Sequence, residues 1–196
     1  MKNTFNLLGV AGSTRQGSYS TRALKIALEY TKKQGAEIRL LELNRIVLPL
    51  YDPSAPASKE VERAAEIIAW ADAFILASPD YHGSMSGTLK NFLDHFYEEF
   101  AGKVFGYIVA SHEKGLTVMD HMRTAVRQCY GWSMPYGVSI NGPQDFTGSE
   151  TASARSSSRL RMMARDLVVY GRLVRDQFIR DFGSNEADTF AAHYRP

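Results

Sequence analysis

The chain has very little cysteine and no long apolar run. Cys129 is the single cysteine among 196 residues, so an internal disulfide is excluded. No apolar stretch approaches the roughly 20 residues that a membrane-spanning helix needs. The first apolar run leads straight into a glycine-rich loop, which favours a first strand over a signal peptide. We therefore expect a soluble, cytoplasmic protein with no membrane partner.

The chain also lacks a strong excess of either charge. Lys and Arg number 23 against 21 Asp and Glu, and the net charge of +2 is too small to predict a nucleic-acid partner. The histidines show no zinc-ligand spacing and there is no set of cysteines, so we predict no metal site. The apolar share of 44% is enough for one core, which predicts a single domain over residues 1–196.

Strand-like and helix-like segments alternate along the whole chain. Short apolar runs predict strands at 5–10, 37–43, 71–77, 103–110 and 136–140. Three- and four-residue apolar spacing predicts helices at 21–34, 59–70, 88–100, 116–130 and about 153–182. This alternation is typical of an α/β fold, a parallel sheet with helices on both faces. Ligands bind such sheets at the carboxyl ends of the strands, where the loops after strands one, three and four meet.

The first of these loops, GSTRQGSYST, is rich in glycine and hydroxyl groups. A tight turn with a capped helix would explain this composition. The alternative is an anion site, in which loop N–H groups, the helix dipole and several hydroxyls face a phosphate. The hydroxyl donors are Ser13, Ser18, Ser20 and Thr21. Arg15 adds a guanidinium fork that matches phosphate oxygens.

Three familiar motifs are missing. Gly12 and Gly17 have Walker A spacing, but Ser18 stands where the lysine belongs, so a nucleotide hydrolase is disfavoured. The dinucleotide pattern G-x-G-x-x-G is absent, as is the G-x-S-x-G elbow of many hydrolases. A terminal monophosphate fits the first loop better than a pyrophosphate.

The second loop and the helix after it read SPDYHGSMSGTLKNFLD, residues 78–94. Tyr81 and His82 are flat and half polar, able to flank an aromatic ring, and Gly83 lets a ligand approach the backbone. The alternative interpretation is that Tyr81 is an ordinary surface tyrosine and His82 an ordinary loop histidine. Lys90 and Asn91 are explained equally well by capping and solvating the start of the helix.

Together these two motifs resemble the NADPH-dependent FMN reductase family. The first loop is similar to the family's G-S-x-R-x-x-S-x-[NS], and the second to P-E-Y-[NH]-x-S-x-[PS]-G-x-L-K-N-x-[IL]-D. The resemblance is close over roughly the first 115 residues. Asp80 replaces the commoner Glu, His82 stands where Asn is frequent, and Ser86 stands where Pro is frequent.

The resemblance implies a flavodoxin-like doubly wound sheet of five parallel strands in the order 2-1-3-4-5. It also implies noncovalent FMN, NADPH or NADH as co-substrate, a small-molecule electron acceptor, and a homodimer or homotetramer. The phosphate-binding residues it implies are Ser13, Arg15, Ser18, Tyr19 and Ser20. Those implied along the isoalloxazine ring are Pro79, Asp80, Tyr81, His82 and Gly83.

The third loop, SHEKG, matches the family only weakly. It supplies Ser111 and Gly115 as candidates for the pyrimidine end of the flavin. Lys114 is either a solvated lysine or a neighbour of the reduced flavin or of a coenzyme phosphate. No side chain stands out as a catalytic acid, base or nucleophile.

The last predicted helix carries one complete apolar stripe and a partial second one. The first stripe comprises Leu160, Met163, Leu167, Gly171, Val174 and Phe178, and the second comprises Met162, Val169 and Leu173. The first should cover the sheet, and the second suits a partner subunit. Its arginines suit a solvated face with local ion pairs, or a basic collar that attracts an anionic nucleotide. Cys129 lies on an apolar helix face and is expected in the core.

The function that these features predict is an FMN-dependent NAD(P)H oxidoreductase. Hydride would pass through FMN to a flavin, quinone, azo or metal-ion acceptor. Two alternatives stay open, a flavodoxin-type electron carrier and a flavin-binding module without turnover. The net charge of +2 and the sequence GSTRQGS argue against the carrier.

Overall fold

A parallel sheet forms the centre of the protein. The computed structural model describes residues 4–147 and 151–195. The strands run in the order β2-β1-β3-β4-β5, with β6 also paired to β4, and all pairings between them are parallel. Their bounds are β1 Phe5–Ala11, β2 Ala36–Glu42, β3 Ala73–Pro79, β4 Val104–Ala110, β5 Trp132–Ser133 and β6 Val138–Ile140.

Helices cover both faces of the sheet. Their bounds are α1 Tyr19–Lys33, α2 Lys59–Trp70, α3 Gly87–Asp94, α4 Leu116–Gln128, α5 Gly142–Asp145 and α6 Ala154–Phe182. Side chains of β1 alternate between two cores, because successive residues of a strand point to opposite faces. Leu8 and Val10 belong to the core under α2, α3 and α4, whereas Phe5 and Leu7 belong to the core under α1 and α6. The predicted fold class and strand order are confirmed.

Serine side chains fix where several helices begin. Ser18, Ser58, Ser86 and Ser153 each accept a hydrogen bond from a backbone N–H of the following helix. Such caps satisfy N–H groups that have no partner inside the helix. The sequence predicts the cap at Ser58, because Ser58 stands directly before the apolar-periodic segment KEVERAAEIIAW. The cap at Ser18 starts α1 two residues before the predicted boundary.

Two predicted boundaries in the middle of the chain are wrong. The third strand starts at Ala73, not at residue 71, because Ala71 still closes α2 through its N–H to the carbonyl of Ile68. The helix predicted over 88–100 ends at Asp94, and a short 3-10 turn follows at Glu98–Phe100. Phe92, Phe96 and Phe100 still pack together, so the apolar spacing reflects the core rather than a continuous helix.

The sheet edge and the end of α4 also differ from the prediction. The fifth strand position holds two short strands rather than one segment over 136–140, and Pro135 lies in the break between them. Proline has no N–H to give to a strand ladder. The helix predicted to reach residue 130 stops at Gln128, since Tyr130 adopts a left-handed conformation with φ 58.

Helix α6 packs one stripe on the sheet and leaves another exposed. Leu160, Met163 and Leu167 are fully buried, as predicted for the first stripe. Leu173 of the second stripe is 63% exposed. Arg175 departs from the solvated face, because it is largely buried and donates to the carbonyl of Thr4 and to Asp72.

Candidate functional site

One cavity of about 930 Å³ lies at the carboxyl ends of the central strands. The loops after β1, β3 and β4 meet there, as expected for parallel strands in a doubly wound sheet. All twelve candidate site residues line it: Ser13, Arg15, Ser18, Tyr19, Ser20, Pro79, Asp80, Tyr81, His82, Gly83, Ser111 and Gly115. Its size falls within the range of small-molecule and cofactor sites.

Several lining residues are absent from the set predicted from sequence. They are Ala110, His112, Glu113, Leu116, Thr117, Gly142 and Pro143. Lys114, for which the sequence left two interpretations open, also lines the cavity. Gly142 and Pro143 are the first two residues of the short helix α5, which follows β6. Because ligands bind at the carboxyl ends of parallel strands, the position of this segment directly after a strand could have predicted that it borders the cavity.

The first loop brings hydroxyls and a helix start to the cavity. Ser18 accepts a hydrogen bond from the N–H of Thr21 at 3.3 Å and lies 2.9 Å from the Thr21 hydroxyl. Ser13 is buried, and its hydroxyl accepts a hydrogen bond from the N–H of Arg15 at 3.2 Å. The first two residues of α1, Tyr19 and Ser20, line the cavity, so the positive end of the helix dipole borders it. This donor set favours an anion.

The second loop is a two-residue turn with an unusual backbone. Tyr81 and Ser84 exchange two backbone hydrogen bonds, at 3.0 and 3.1 Å. Between them His82 and Gly83 both have positive φ, 56 and 77. Two positive values in a two-residue hairpin define a type I′ turn. The turn places Tyr81 and His82, both exposed, at the wall of the cavity.

Asp80 holds the second and third loops together. One carboxylate oxygen accepts a hydrogen bond from the N–H of Gly83 at 2.9 Å, and the other accepts from the Ser111 hydroxyl at 2.8 Å. On the other side of the turn, the Ser84 hydroxyl lies 3.0 Å from Nδ1 of His121 on α4. Both oxygens of Asp80 are therefore engaged within the protein, and its role is to position the loops.

Ser86 joins the first loop to the second. Its N–H donates to the Ser78 hydroxyl at 2.9 Å, and its own hydroxyl donates to the carbonyl of Gly12 at 2.6 Å. A Cβ on Gly12 would lie 2.8 Å from Cβ of Leu89, so the approach of the two segments requires glycine there. Ser86 thus makes two hydrogen bonds that a proline at position 86 could not make.

Asn91 has a role beyond capping the start of α3. Its amide donates to the carbonyl of Pro49 at 2.8 Å and accepts from the N–H of Tyr51 at 2.8 Å. It therefore holds the irregular loop that follows β2. Lys90 pairs with Asp94, 2.5 Å away, one turn along α3. The helix N–H is capped by Ser86 instead, so the expectation that Asn91 serves the start of the helix is wrong.

The third loop is fixed by Gly115 and by the region after β6. Gly115 has φ 58, and a Cβ there would lie 2.6 Å from Cγ1 of Val109. The side chain of Asn141 donates to the carbonyl of His112 at 3.1 Å. Lys114 lines the cavity and is exposed. The loop thus keeps a cation at the edge of the site.

Asp145 fixes the loop that borders the cavity after β6. Its carboxylate accepts hydrogen bonds from the Ser153 hydroxyl at 2.7 Å, the Ser156 hydroxyl at 2.6 Å and the N–H of Asn141 at 2.8 Å. Burial alone would raise the pKa of Asp145, but these hydrogen bonds together lower it below its ordinary value. The carboxylate is therefore held ionised, and the loop is tied to the start of α6.

The remaining candidates carry no chemistry at this site. Cys129 is buried beside α3, and burial raises the pKa of its thiol, as suits a core residue. Over residues 4–147 and 151–195, no three His, Cys, Asp or Glu side chains come together as a metal site would require. None of the helices in the same part of the chain is both long and apolar enough to span a membrane.

The donor set and the cavity fit FMN. Buried hydroxyls, an arginine and a helix start offer a place for a phosphate, and Tyr81 and Gly83 of the second loop line the same cavity. Fold and site together define the protein as a flavodoxin-like α/β protein whose first loop brings hydroxyl groups and an arginine to the cavity. Comparison with known proteins identifies the family. The family model for NADPH-dependent FMN reductase matches residues 5–144, and the chain belongs to that family.

Individual relatives agree with this family. The chain is 39% identical over 97 residues to an NAD(P)H-dependent FMN reductase of Pseudomonas aeruginosa, an alignment that covers 48% of this chain and only 51% of that protein. It is 30% identical over 156 residues to an FMN-dependent NADPH-azoreductase of Staphylococcus aureus, covering 74% of this chain and 80% of the relative.

Among solved structures, the fold is similar to the apo form of the NADH:FMN oxidoreductase EMOB. The TM-score is 0.70 at 19% identity, with 87% of this chain and 89% of the other covered. At this identity, the similarity supports the fold alone.

Proposed function

We propose that this protein is an FMN-dependent NAD(P)H oxidoreductase that reduces a small organic or metal-ion acceptor. The observation that carries the proposal is the convergence of all twelve candidate residues on one cavity at the carboxyl edge of the sheet. Residues of both family motifs belong to this set, and they come from two separate segments of the chain, 13–20 and 79–83. The names of the relatives, FMN reductase and azoreductase, support the same reaction class.

The first loop and the start of α1 bind the FMN phosphate in this proposal. Ser13, Ser18 and Ser20 are buried and lie beside the positive end of the helix dipole. Arg15 is exposed at the rim and supplies the guanidinium charge. The second loop, held by Asp80, lies along the isoalloxazine ring.

FMN held by these residues would supply the redox chemistry, hydride acceptance from NAD(P)H and electron donation to the acceptor. The chain's own residues then bind and orient. The turn at Tyr81–Ser84 sets one wall of the ring site, and Asp80 fixes its distance from the third loop. Tyr81 and His82 border the open side, where coenzyme and acceptor enter in turn.

An absorption spectrum of the purified protein with added FMN tests the proposal. We expect bound-flavin bands that bleach when NADPH is added without oxygen and return when an acceptor follows. Bound flavin that NADPH and NADH both leave oxidised would favour the carrier or the binding module over a reductase. Absence of bound flavin would refute the cofactor assignment itself.

We further propose that the chain folds as a single domain and assembles as a homodimer or homotetramer. Exposed apolar side chains support the assembly: Leu50 is 86% exposed in the loop held by Asn91, and Leu173 is 63% exposed on α6. Light scattering on the purified protein measures the assembly. A monomer across the micromolar range would contradict it.

A further inference from the structure

His82 occupies a left-handed backbone conformation, with φ 56, that few non-glycine residues adopt. It is the first central residue of the type I′ turn, a position where Asn, Asp and Gly are preferred because they tolerate positive φ. Within the described ranges, only His82 and Tyr130 are non-glycine residues with positive φ, and Tyr130 is not among the residues lining the cavity. Asn or Gly would satisfy the backbone of this turn at a lower conformational cost.

The surrounding contacts keep His82 in this conformation. The paired backbone hydrogen bonds of Tyr81 and Ser84 close the turn, and Asp80 and His121 hold it from opposite sides. The backbone therefore cannot relax around His82 without breaking contacts to the third loop or to α4. Strain of this kind, at a residue that lines a ligand cavity, points to a function of the side chain.

The proposed reaction needs one proton that the hydride does not carry. Reduction of a quinone to a hydroquinone takes two electrons and two protons, and forms two O–H bonds. Hydride transfer from reduced FMN supplies both electrons and one of the protons. The other proton must come from water or from a side chain at the open side of the ring.

We propose that His82 donates this second proton to the organic acceptor. An N–H bond of the protonated imidazole breaks as the new bond to the acceptor forms. This new bond is an O–H bond in a hydroquinone and an N–H bond in a reduced azo group. The neutral imidazole then regains a proton from bulk water, since His82 is exposed. Histidine is the side chain that exchanges protons most readily near neutral pH. This assignment rests on the proposed oxidoreductase function.

Other proton-bearing groups of the cavity are placed less well. Asp80 uses both oxygens in hydrogen bonds to Gly83 and Ser111. His112 lies on the third loop, and its backbone does not have a positive φ. It is therefore the matched control, a second exposed histidine in the same cavity.

The test follows reoxidation of the protein by two acceptors. FMN-loaded protein is reduced anaerobically with stoichiometric dithionite, so NAD(P)H plays no part, and is mixed in a stopped-flow instrument with menadione or with ferricyanide. Menadione must gain protons, whereas ferricyanide takes electrons alone. Dividing the rate constant for menadione by that for ferricyanide removes any effect of a substitution on the flavin that is common to both reactions.

We expect His82→Asn to lower the menadione-to-ferricyanide ratio at least tenfold, since general acids commonly contribute about 10²–10⁴ and water replaces part of this. His112→Asn should leave the ratio near the wild-type value, because the proposal assigns the proton transfer to His82 and not to His112. In His82→Gly, added imidazole should restore the ratio in a concentration-dependent way. An unchanged ratio in His82→Asn, a loss in His112→Asn instead, or failure of imidazole to restore His82→Gly would each overturn the assignment.

A second measurement tests the strained turn without any cofactor. The FMN-free His82→Asn protein should melt at or above the wild-type temperature, because Asn fits the turn better. A lower melting temperature would refute strain at His82.

If wild-type protein binds FMN but is not reduced by NAD(P)H, the reductase proposal fails while the ratio test still decides the role of His82. If it binds no FMN, both fail.

Discussion

Asp80 offers the most discriminating substitution at this site, because its two oxygens make two separate contacts. Asp80→Ala removes the hydrogen bonds to the N–H of Gly83 and to the Ser111 hydroxyl. Each is worth about 1–1.5 kcal/mol net. We therefore expect a loss of about 2–3 kcal/mol, or a melting temperature lower by about 5–10 °C for a chain of this size.

Asp80→Asn should behave differently for a geometric reason. The amide oxygen can keep the hydrogen bond from Gly83, and the amide nitrogen can donate to Ser111, whose hydroxyl is able to accept. The Ser111 hydroxyl already accepts the N–H of Glu113 at 3.1 Å and retains a second lone pair. The expected loss is below about 1 kcal/mol, or a melting temperature lower by about 1–3 °C.

Thermal unfolding and FMN titration of both variants check this reasoning. If Asp80 acts by holding the loops, FMN affinity should fall in Asp80→Ala and stay near wild type in Asp80→Asn. Equal loss of affinity in both variants would mean that the flavin needs the negative charge itself. Equal melting temperatures would refute the hydrogen-bond argument.

Four further predictions follow from single residues. Arg15→Ala should weaken FMN binding about 10- to 100-fold, the worth of one or two charge-assisted hydrogen bonds, with an unchanged melting temperature; unchanged affinity in a fluorescence titration would refute the phosphate-loop assignment. Gly142→Ala should cost about 1–3 kcal/mol in denaturant unfolding, because its Cβ would lie 2.0 Å from Cδ2 of Tyr19; no loss would mean that the ring moves freely. The lowered pKa of Asp145 stabilises the fold at pH values above its unfolded-state pKa of about 4. This stabilisation disappears as the pH falls through the folded-state pKa. Below pH 4 the melting temperature of the wild type should therefore fall more steeply than that of Asp145→Asn. Cys129 should react with a thiol reagent far more slowly in native protein than in urea, and fast native labelling would contradict its burial.

The local sequence determined the order of the elements and the place of the site. Apolar runs marked the central strands because those strands are buried on both faces, and the cap at Ser58 followed from its position before an apolar-periodic segment. Since parallel strands all end at one edge, the loops after them had to meet. The twelve site residues could therefore be placed together from their position along the chain.

Only the tertiary structure decided how the loops are held and what their side chains have left to offer. Asp80 reaches Ser111 across 31 residues, Ser86 reaches Gly12 across 74, and Asn91 reaches Pro49 across 42. No local spacing reveals such contacts, because they depend on which strands become neighbours. The same holds for the early end of α3, where packing of Phe96 and Phe100 sets the path of the chain. Periodicity reports which side chains are buried, and the completed sheet determines what they touch.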